Sequence, residues 1–352
     1  MHISQIETPC VLIDEAVVER NIAAAQAQFT ALGVNLRPHI KTHKLVRLAK
    51  AQLAAGAVGI TCQKTSEAEV FARAGCTDIT ITYNILGASK LARLKTLAGL
   101  AKLTVVADNA AVVAGLSATF AGSSRPLDVL VECDTGLGRC GVQTPEAAVA
   151  LAVIIAASPG LRFAGLMTYP APNSHDRVEM FMAAAKAGCL AQIGSCDVIS
   201  SGGTPSMKSV PQHSVITEYR PGTYIYNDRS LVARGAATLE ACALVVAATV
   251  VSRPTPDRAI IDAGSKTLSS DLLGMTGYGL IRDYPEAVIT GLSEEHGHVD
   301  LSACTAKPEV GEIVSIVPNH ACVVTNLFDQ VHLHRNGALT AIVAVDARGR
   351  VV

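Results

Sequence analysis

Val58–Ala107 reads VGITCQKTSEAEVFARAGCTDITITYNILGASKLARLKTLAGLAKLTVVA, and its rhythm decides the fold. Three short β-rich runs, Val58–Cys62, Ile79–Tyr83 and Leu103–Ala107, are separated by Lys64–Ala74 and Ala88–Ala98, both rich in Ala, Leu, Glu and Lys. Strands that alternate with helices pair in parallel, because each crossover is right-handed and returns the chain to the same end of the sheet. Working outward, the same reading predicts strands at Val34–Pro38, Asp128–Asp134, Phe163–Tyr169, Asp197–Ser201 and Thr223–Tyr226, and a helix over Pro145–Ala157. Eight such units predict an α/β fold, a closed (β/α)8 TIM-type barrel rather than an open doubly wound sheet. Because Gly202–Tyr219 reads mostly as loop, the eighth strand falls at Thr223–Tyr226.

After Leu231 the rhythm changes. Ala243–Arg253, Arg258–Asp262, Glu312–Val317 and Leu339–Val345 are β-rich and separated by turns. Residues 8–230 therefore read as the barrel, and residues 231–352, completed by residues 1–7, as a C-terminal all-β domain.

Composition narrows the function classes. Of 352 residues, 49% are hydrophobic, enough for a large core, and Ala, Val, Leu and Ile fill it in the absence of Trp. A net charge of -1, without basic runs, argues against nucleic acid and anionic membranes as partners. The apolar runs Ala147–Ala157 and Ala241–Val251 are too short for a membrane span. The N-terminal MHISQIETPC carries no export signal. Ten cysteines without paired spacing read as reduced thiols, so the expected compartment is cytoplasmic. Cys62, Cys133 and Cys140 are expected in the core, and Asp14 and Glu15 at a helix cap.

Barrel enzymes build their sites just beyond the C-terminal ends of the strands. There the sequence places Arg37–Lys44 (RPHIKTHK), Asp134–Arg139 (DTGLGR), Tyr169, Ser200–Thr204 (SSGGT) and Arg220–Tyr224 (RPGTY). Gly-rich turns beside the seventh and eighth strands suit a phosphate held by backbone N–H groups. A lysine at the first strand suits a Schiff-base nucleophile, which must shed its proton near neutrality. His39, His43 and Lys44 could supply the positive charge that helps it do so. The pattern predicts a phosphate-bearing cofactor on Lys41; the competing reading is a solvated basic loop. His320-x-Cys322 forms a second constellation. In a strand, residues i and i+2 share a face, so both could ligate one metal, and a nitrogen with a thiolate suits zinc. The competing reading there is a buried thiol beside a surface imidazole.

RPHIKTHK, TCQKTSEAEV, ECDTGLGRCGV, GLMTY, SSGGTP, RPGTYIYND, EEHG and PNHACVVTNLFD, in order from Thr8 to Asp329, resemble the D-threonine aldolase and D-serine dehydratase family. The resemblance implies the third fold type of pyridoxal-phosphate (PLP) enzymes, an alanine-racemase-type barrel with a β-domain that carries a metal. It implies Lys41 as the Schiff-base lysine, Arg139 facing the pyridine nitrogen, and Tyr169 in the active site. Ser201, Gly202, Gly203, Gly222, Thr223 and Tyr224 match phosphate-binding positions, and Gln63 lies where it could reach the cofactor ring. His320 and Cys322 match the metal ligands; zinc is favoured, with manganese or magnesium as alternatives. His296 matches the family's EEHG and approaches the substrate, with a solvated turn as the competing reading. His175 and Asp176 could line the mouth of the site, with a plain loop as the preferred reading.

By the same resemblance the substrate is a small β-hydroxy-D-amino acid and the protein a homodimer. The expected activity is that of a D-threonine aldolase, retro-aldol cleavage to glycine and an aldehyde. The alternative is a dehydratase acting on D-serine or D-3-hydroxyaspartate, towards which Cys322 points, since some aldolases carry aspartate there. An amino-acid racemase and a non-catalytic PLP carrier stand further off.

Overall fold

The computed structural model describes residues 2–352. The chain divides into two compact units. One comprises Ala25–Lys41, Val46–Gly222 and Arg350–Val352; the other comprises the residues up to Ala24, Thr42–Leu45 and Thr223–Gly349. In chain order the strands are β1 (Cys10–Asp14), β2 (Asn35–Leu36), β3 (Ile60–Cys62), β4 (Asp78–Asn84), β5 (Lys102–Ala107), β6 (Leu127–Cys133), β7 (Leu161–Thr168), β8 (Val198–Ser201), β9 (Glu218–Tyr219), β10 (Leu244–Thr255), β11 (Arg258–Ile261), β12 (Leu280–Ile281), β13 (Val288–Leu292), β14 (Gly297–Asp300), β15 (Ile313–Val317), β16 (Gln330–Arg335) and β17 (Ala338–Ala344). The α-helices are α1 (Glu15–Leu32), α2 (Val46–Ala54), α3 (Thr65–Arg73), α4 (Ala88–Leu97), α5 (Ala110–Phe120), α6 (Pro145–Ala157), α7 (His175–Ile193), α8 (Arg229–Ala233), α9 (Ser265–Leu268) and α10 (Ala321–Leu327).

The first unit holds an all-parallel eight-stranded sheet in the order β2-β9-β8-β7-β6-β5-β4-β3. It closes on itself beyond β2. Val58 N donates to Leu36 O at 3.0 Å, Thr61 N donates to Pro38 O at 2.8 Å, and His39 bridges Thr61 in parallel. Ile60, Ile79, Ile81, Val105, Val129, Val131 and Ile199 are fully buried in this sheet, as strands covered on both faces require. Helix starts follow local chemistry. Asn109 caps α5 by accepting from Val112 N at 3.0 Å, and Thr144 caps α6 by accepting from Ala147 N at 3.2 Å, with Pro145 leading the helix. Asp14 likewise accepts from Ala16 N and Val17 N at the head of α1.

The eighth strand differs from the expectation. Thr223–Ile225 is a 3-10 turn, and the closing strand is Glu218–Tyr219, inside the stretch read as loop. Pro221-Gly222 ends the extended run, whereas Glu218 and Tyr219 register on Asn35 and Leu36 on one side and on Ser200 and Ser201 on the other. Beneath the barrel, Arg37 donates from Nε to Glu218 and from another guanidinium nitrogen to Asp78, each at 2.6 Å.

The second unit holds a mostly antiparallel sheet in the order β13-β14-β11-β10-β1-β16-β17, with β15 pairing both β10 and β12. β1 runs antiparallel to β10 and parallel to β16, so the N-terminal segment forms a central strand. Val11, Ile13, Leu244, Val246, Ile316 and Leu333 make its core. Among the described residues no helix is long and apolar enough to cross a membrane.

Candidate active site

In the barrel unit, Lys41 sits in the 3-10 turn Ile40–Thr42 that follows β2. Its backbone N–H points to His39 Nδ1 at 3.4 Å. The other ring nitrogen, Nε2, lies 3.0 Å from Gln63 Oε1, and Gln63 Nε2 donates to Thr82 O at 3.0 Å. A relay of side chains therefore runs from β4 to the lysine's own peptide. The Gln63 amide is engaged at both its oxygen and its nitrogen by His39 and Thr82, so what it orients is His39. Gln63 N in turn donates to the buried Glu67 carboxylate at 2.7 Å.

The turn after β8 is bare of side chains. Gly202 adopts φ +128, and a Cβ there would stand 2.8 Å from both Arg220 N and the Tyr219 ring, so only glycine fits. A Cβ on Gly203 would meet the Tyr169 ring at 3.3 Å. Tyr219, stacked on Phe29 at 4.8 Å, donates its hydroxyl to Gly203 O at 3.1 Å and so pins the turn from below. Arg220 supports the same strands. Its guanidinium, lowered to about 10 by burial against the opposing pull of Glu218 and Glu132, donates to Ser200 Oγ and to Thr168 O. Arg139 lies over the Tyr169 ring, 4.9 Å from its centroid, at the exposed mouth of this unit. Buried Glu132 is pushed up by desolvation, against which the charge of Arg139 pulls.

In the β-unit, the structure corrects the setting of His320-x-Cys322. The pair does not lie in a strand: His320 is the extended residue that precedes α10 (φ -139, ψ 106), and Cys322 lies in its first turn. The two side chains nevertheless meet, and they hydrogen-bond to each other. Burial alone would raise the Cys322 thiol, but the neighbouring His320 charge and the Thr42 hydroxyl outweigh it and lower the thiol from its ordinary 9.0. His320 moves the other way; burial opposes its charge, yet Cys322 and Asp228 push it up to about 10. Thr42 Oγ1 lies 3.2 Å and Thr223 Oγ1 3.6 Å from the sulfur. Among the described residues no three His, Cys, Asp or Glu side chains converge as a metal cluster. Thr223 and the buried Tyr224 form the turn Thr223–Ile225, and Thr223 O accepts from Tyr226 N at 3.0 Å.

His296 is exposed on the turn between β13 and β14, whose carbonyls accept from Ser265 N and Lys266 N. His175 and Asp176 open α7 rather than a loop, and His175 Nε2 lies 3.2 Å from Ser206 O and 3.0 Å from Ser209 Oγ. Cys140 is exposed, whereas Cys62 and Cys133 are buried as expected. The residue that sequence reading missed is Asp228, wholly buried and 3.1 Å from His320 Nδ1. It stands inside the RPGTYIYND motif, which was the only signal available.

The family model of the alanine racemase N-terminal domain matches residues 13–230, and that of a serine dehydratase domain matches residues 243–334. A D-threonine aldolase from Arthrobacter sp. is 37% identical over 361 residues, which cover 99% of this chain and 94% of that one. The chain belongs to the D-threonine aldolase and D-serine dehydratase family. These are PLP-dependent lyases on an alanine-racemase-type fold. Two solved structures of this family overlie nearly the whole chain. A D-threonine aldolase from Filomicrobium marinum has a TM-score of 0.87 at 33% identity, covering 99% of this chain and 98% of that one. A D-threo-3-hydroxyaspartate dehydratase, solved metal-free as a cysteine-to-alanine variant, has a TM-score of 0.84 at 29% identity, covering 97% of this chain and 98% of that one.

Proposed function

We propose that this chain is a PLP-dependent, metal-assisted lyase of the D-threonine aldolase type, which cleaves β-hydroxy-D-amino acids to glycine and an aldehyde. The observation that carries the reading is the 37% identity to the Arthrobacter aldolase along the whole chain, with a lysine at the end of the first barrel strand. Lys41 holds the cofactor through Nζ, and its backbone is oriented by the His39–Gln63 relay. Ser201, Gly202, Gly203, Gly222, Thr223 and Tyr224 bind the phosphate, the glycines because bare backbone lets N–H groups approach it. Arg139 would face the ring nitrogen, where a guanidinium that can only donate would keep that nitrogen unprotonated. Tyr169 lines the site beside Gly203, and His296 is assigned to the substrate on the family match of its EEHG segment alone. When bound, the cofactor supplies the electron sink for the bond that breaks.

His320 and Cys322 would hold the divalent cation, zinc by the softness of the sulfur donor, which when bound would supply positive charge for an alkoxide. Ten cysteines that form no disulfide among the described residues suit a reducing, cytoplasmic compartment, and the homodimer is part of the same family reading.

A second reading, a dehydratase giving a 2-oxo acid and ammonia, is favoured by Cys322. A family dehydratase is metal-free in the form that lacks a cysteine. Product analysis decides between them, with the zinc-supplemented protein given D-threonine, D-serine and D-3-hydroxyaspartate in turn. Glycine with an aldehyde supports the aldolase; a 2-oxo acid with ammonia replaces it with the dehydratase.

A further inference from the structure

Asp228 is a wholly buried carboxylate whose two oxygens serve two different elements. Oδ1 accepts from Leu231 N at 3.1 Å and from Ser230 Oγ at 2.7 Å, which caps α8. Oδ2 lies 3.1 Å from His320 Nδ1 and accepts from Ala321 N, also at 3.1 Å, both at the head of α10. Capping α8 needs only the first oxygen. The second is spent wholly on the residue proposed to bind metal and on the peptide that separates it from Cys322.

A carboxylate buried among N–H and O–H groups is an acceptor only, so the proton on the Asp228–His320 contact belongs to Nδ1. That leaves Nε2 as the one ring nitrogen able to ligate a cation. We propose that Asp228 is the positioning residue of the metal centre: it fixes His320 with Nδ1–H towards the carboxylate and presents Nε2 to a divalent cation beside the Cys322 sulfur. The inference rests on the metal reading above and deepens it. A carboxylate behind a ligating imidazole fixes the ring's orientation and raises its basicity, and its removal weakens metal binding by about 10- to 100-fold.

Asparagine cannot replace this carboxylate. Whichever way its amide turns, the NH2 faces donors, either Leu231 N and the Ser230 hydroxyl or His320 and Ala321 N. Ser230 can rotate to accept; a backbone N–H cannot. Asp228→Asn should therefore weaken zinc binding, whereas Ser230→Ala, which touches only the capping oxygen, should leave it unchanged.

The test is zinc affinity of the PLP-loaded protein, read by competition with a chromophoric chelator, for wild type, Asp228→Asn and Ser230→Ala. Cofactor absorbance is recorded on each sample. Expected is a loss of zinc affinity of about 10-fold or more in Asp228→Asn alone, with cofactor absorbance retained in all three. Equal affinity in Asp228→Asn and wild type overturns the proposal. So does an equal loss in Ser230→Ala, which would mean that capping α8 is the whole role. If wild type takes up no zinc, the metal reading fails and the positioning role goes with it; that outcome is separable because the variants play no part in it. Should Asp228→Asn not fold, nitrogen NMR of the zinc-loaded wild type decides. Metal on Nε2 with Nδ1 protonated is expected for His320, and metal on Nδ1 overturns the proposal.

Discussion

Neutralising Glu218 should cost the barrel a large part of its stability. Glu218 is 5% exposed on β9, the closing strand, and accepts from Arg37 Nε at 2.6 Å and from Ser200 Oγ at 2.5 Å. Ser200 in turn accepts from Arg220, so one carboxylate stands between two buried guanidiniums. With charge centres roughly 4 Å apart and an effective dielectric near 20, the direct Arg37 pair is worth about 4 kcal/mol of Coulomb energy, and the Arg220 pair, bridged by the Ser200 hydroxyl, is worth less. Glu218→Gln keeps the shape and removes the charge. Some of the carboxylate's desolvation cost is then recovered, and Arg37 retains Asp78 at 2.6 Å. The net loss should fall near the lower end of the range for breaking a buried pair, about 3 kcal/mol. Against a typical total of about 5–15 kcal/mol that is a substantial fraction. Urea unfolding followed by far-UV circular dichroism measures it, with a lower midpoint expected at an unchanged m-value. A loss below about 1 kcal/mol, the range of exposed ion pairs, would refute the reasoning and mean that water already screens this network.

Four further outcomes are expected. Lys41→Ala should abolish the absorbance of the covalently held cofactor while leaving the circular dichroism spectrum intact; retained colour would refute the assignment. Exhaustive chelation should remove activity and spare bound PLP, since none of the residues assigned to hold the cofactor is one of the assigned metal ligands; full activity with no metal by elemental analysis would contradict this. Gly165→Ala should prevent soluble expression, because φ is +143 and a Cβ would stand 1.9 Å from Val198 O, splitting β7 from β8. His332 and His334 are buried, and burial holds both below the ordinary 6.5. The unfolded chain therefore binds more protons below about pH 6.5, so stability falls with pH from there until the folded-state values are passed. Urea midpoints taken between about pH 7 and pH 5 should show this slope, and His332→Leu should flatten it.

What the sequence revealed and what it hid divide along the range of the interactions. α6 was legible at both ends because its determinants are local: Thr144 caps it, Pro145 starts it, and an Ala- and Ile-rich run continues it. The parallel strands were legible for the same reason, being short β-branched runs buried on both faces between helices. β9 was not, because nothing local demands it. Thr217, Glu218 and Tyr219 read as polar loop, and the strand exists because Glu218 meets Arg37, 181 residues away, and registers between β2 and β8.

The metal pair shows the same division more sharply. The residue types of His320 and Cys322 were legible, but the period of two that placed them on a strand face was the wrong geometry. They meet because His320 precedes a helix whose first N–H, that of Ala321, is accepted by Asp228, 93 residues earlier. One buried carboxylate thus both starts α10 and takes one ring nitrogen of His320. An acid within YND carries no mark of that task, since a positioning residue is defined by the atom it leaves free on its neighbour rather than by any pattern of its own. The tautomer of His320, and not the spacing of the HxC pair, is therefore the quantity on which the metal reading turns.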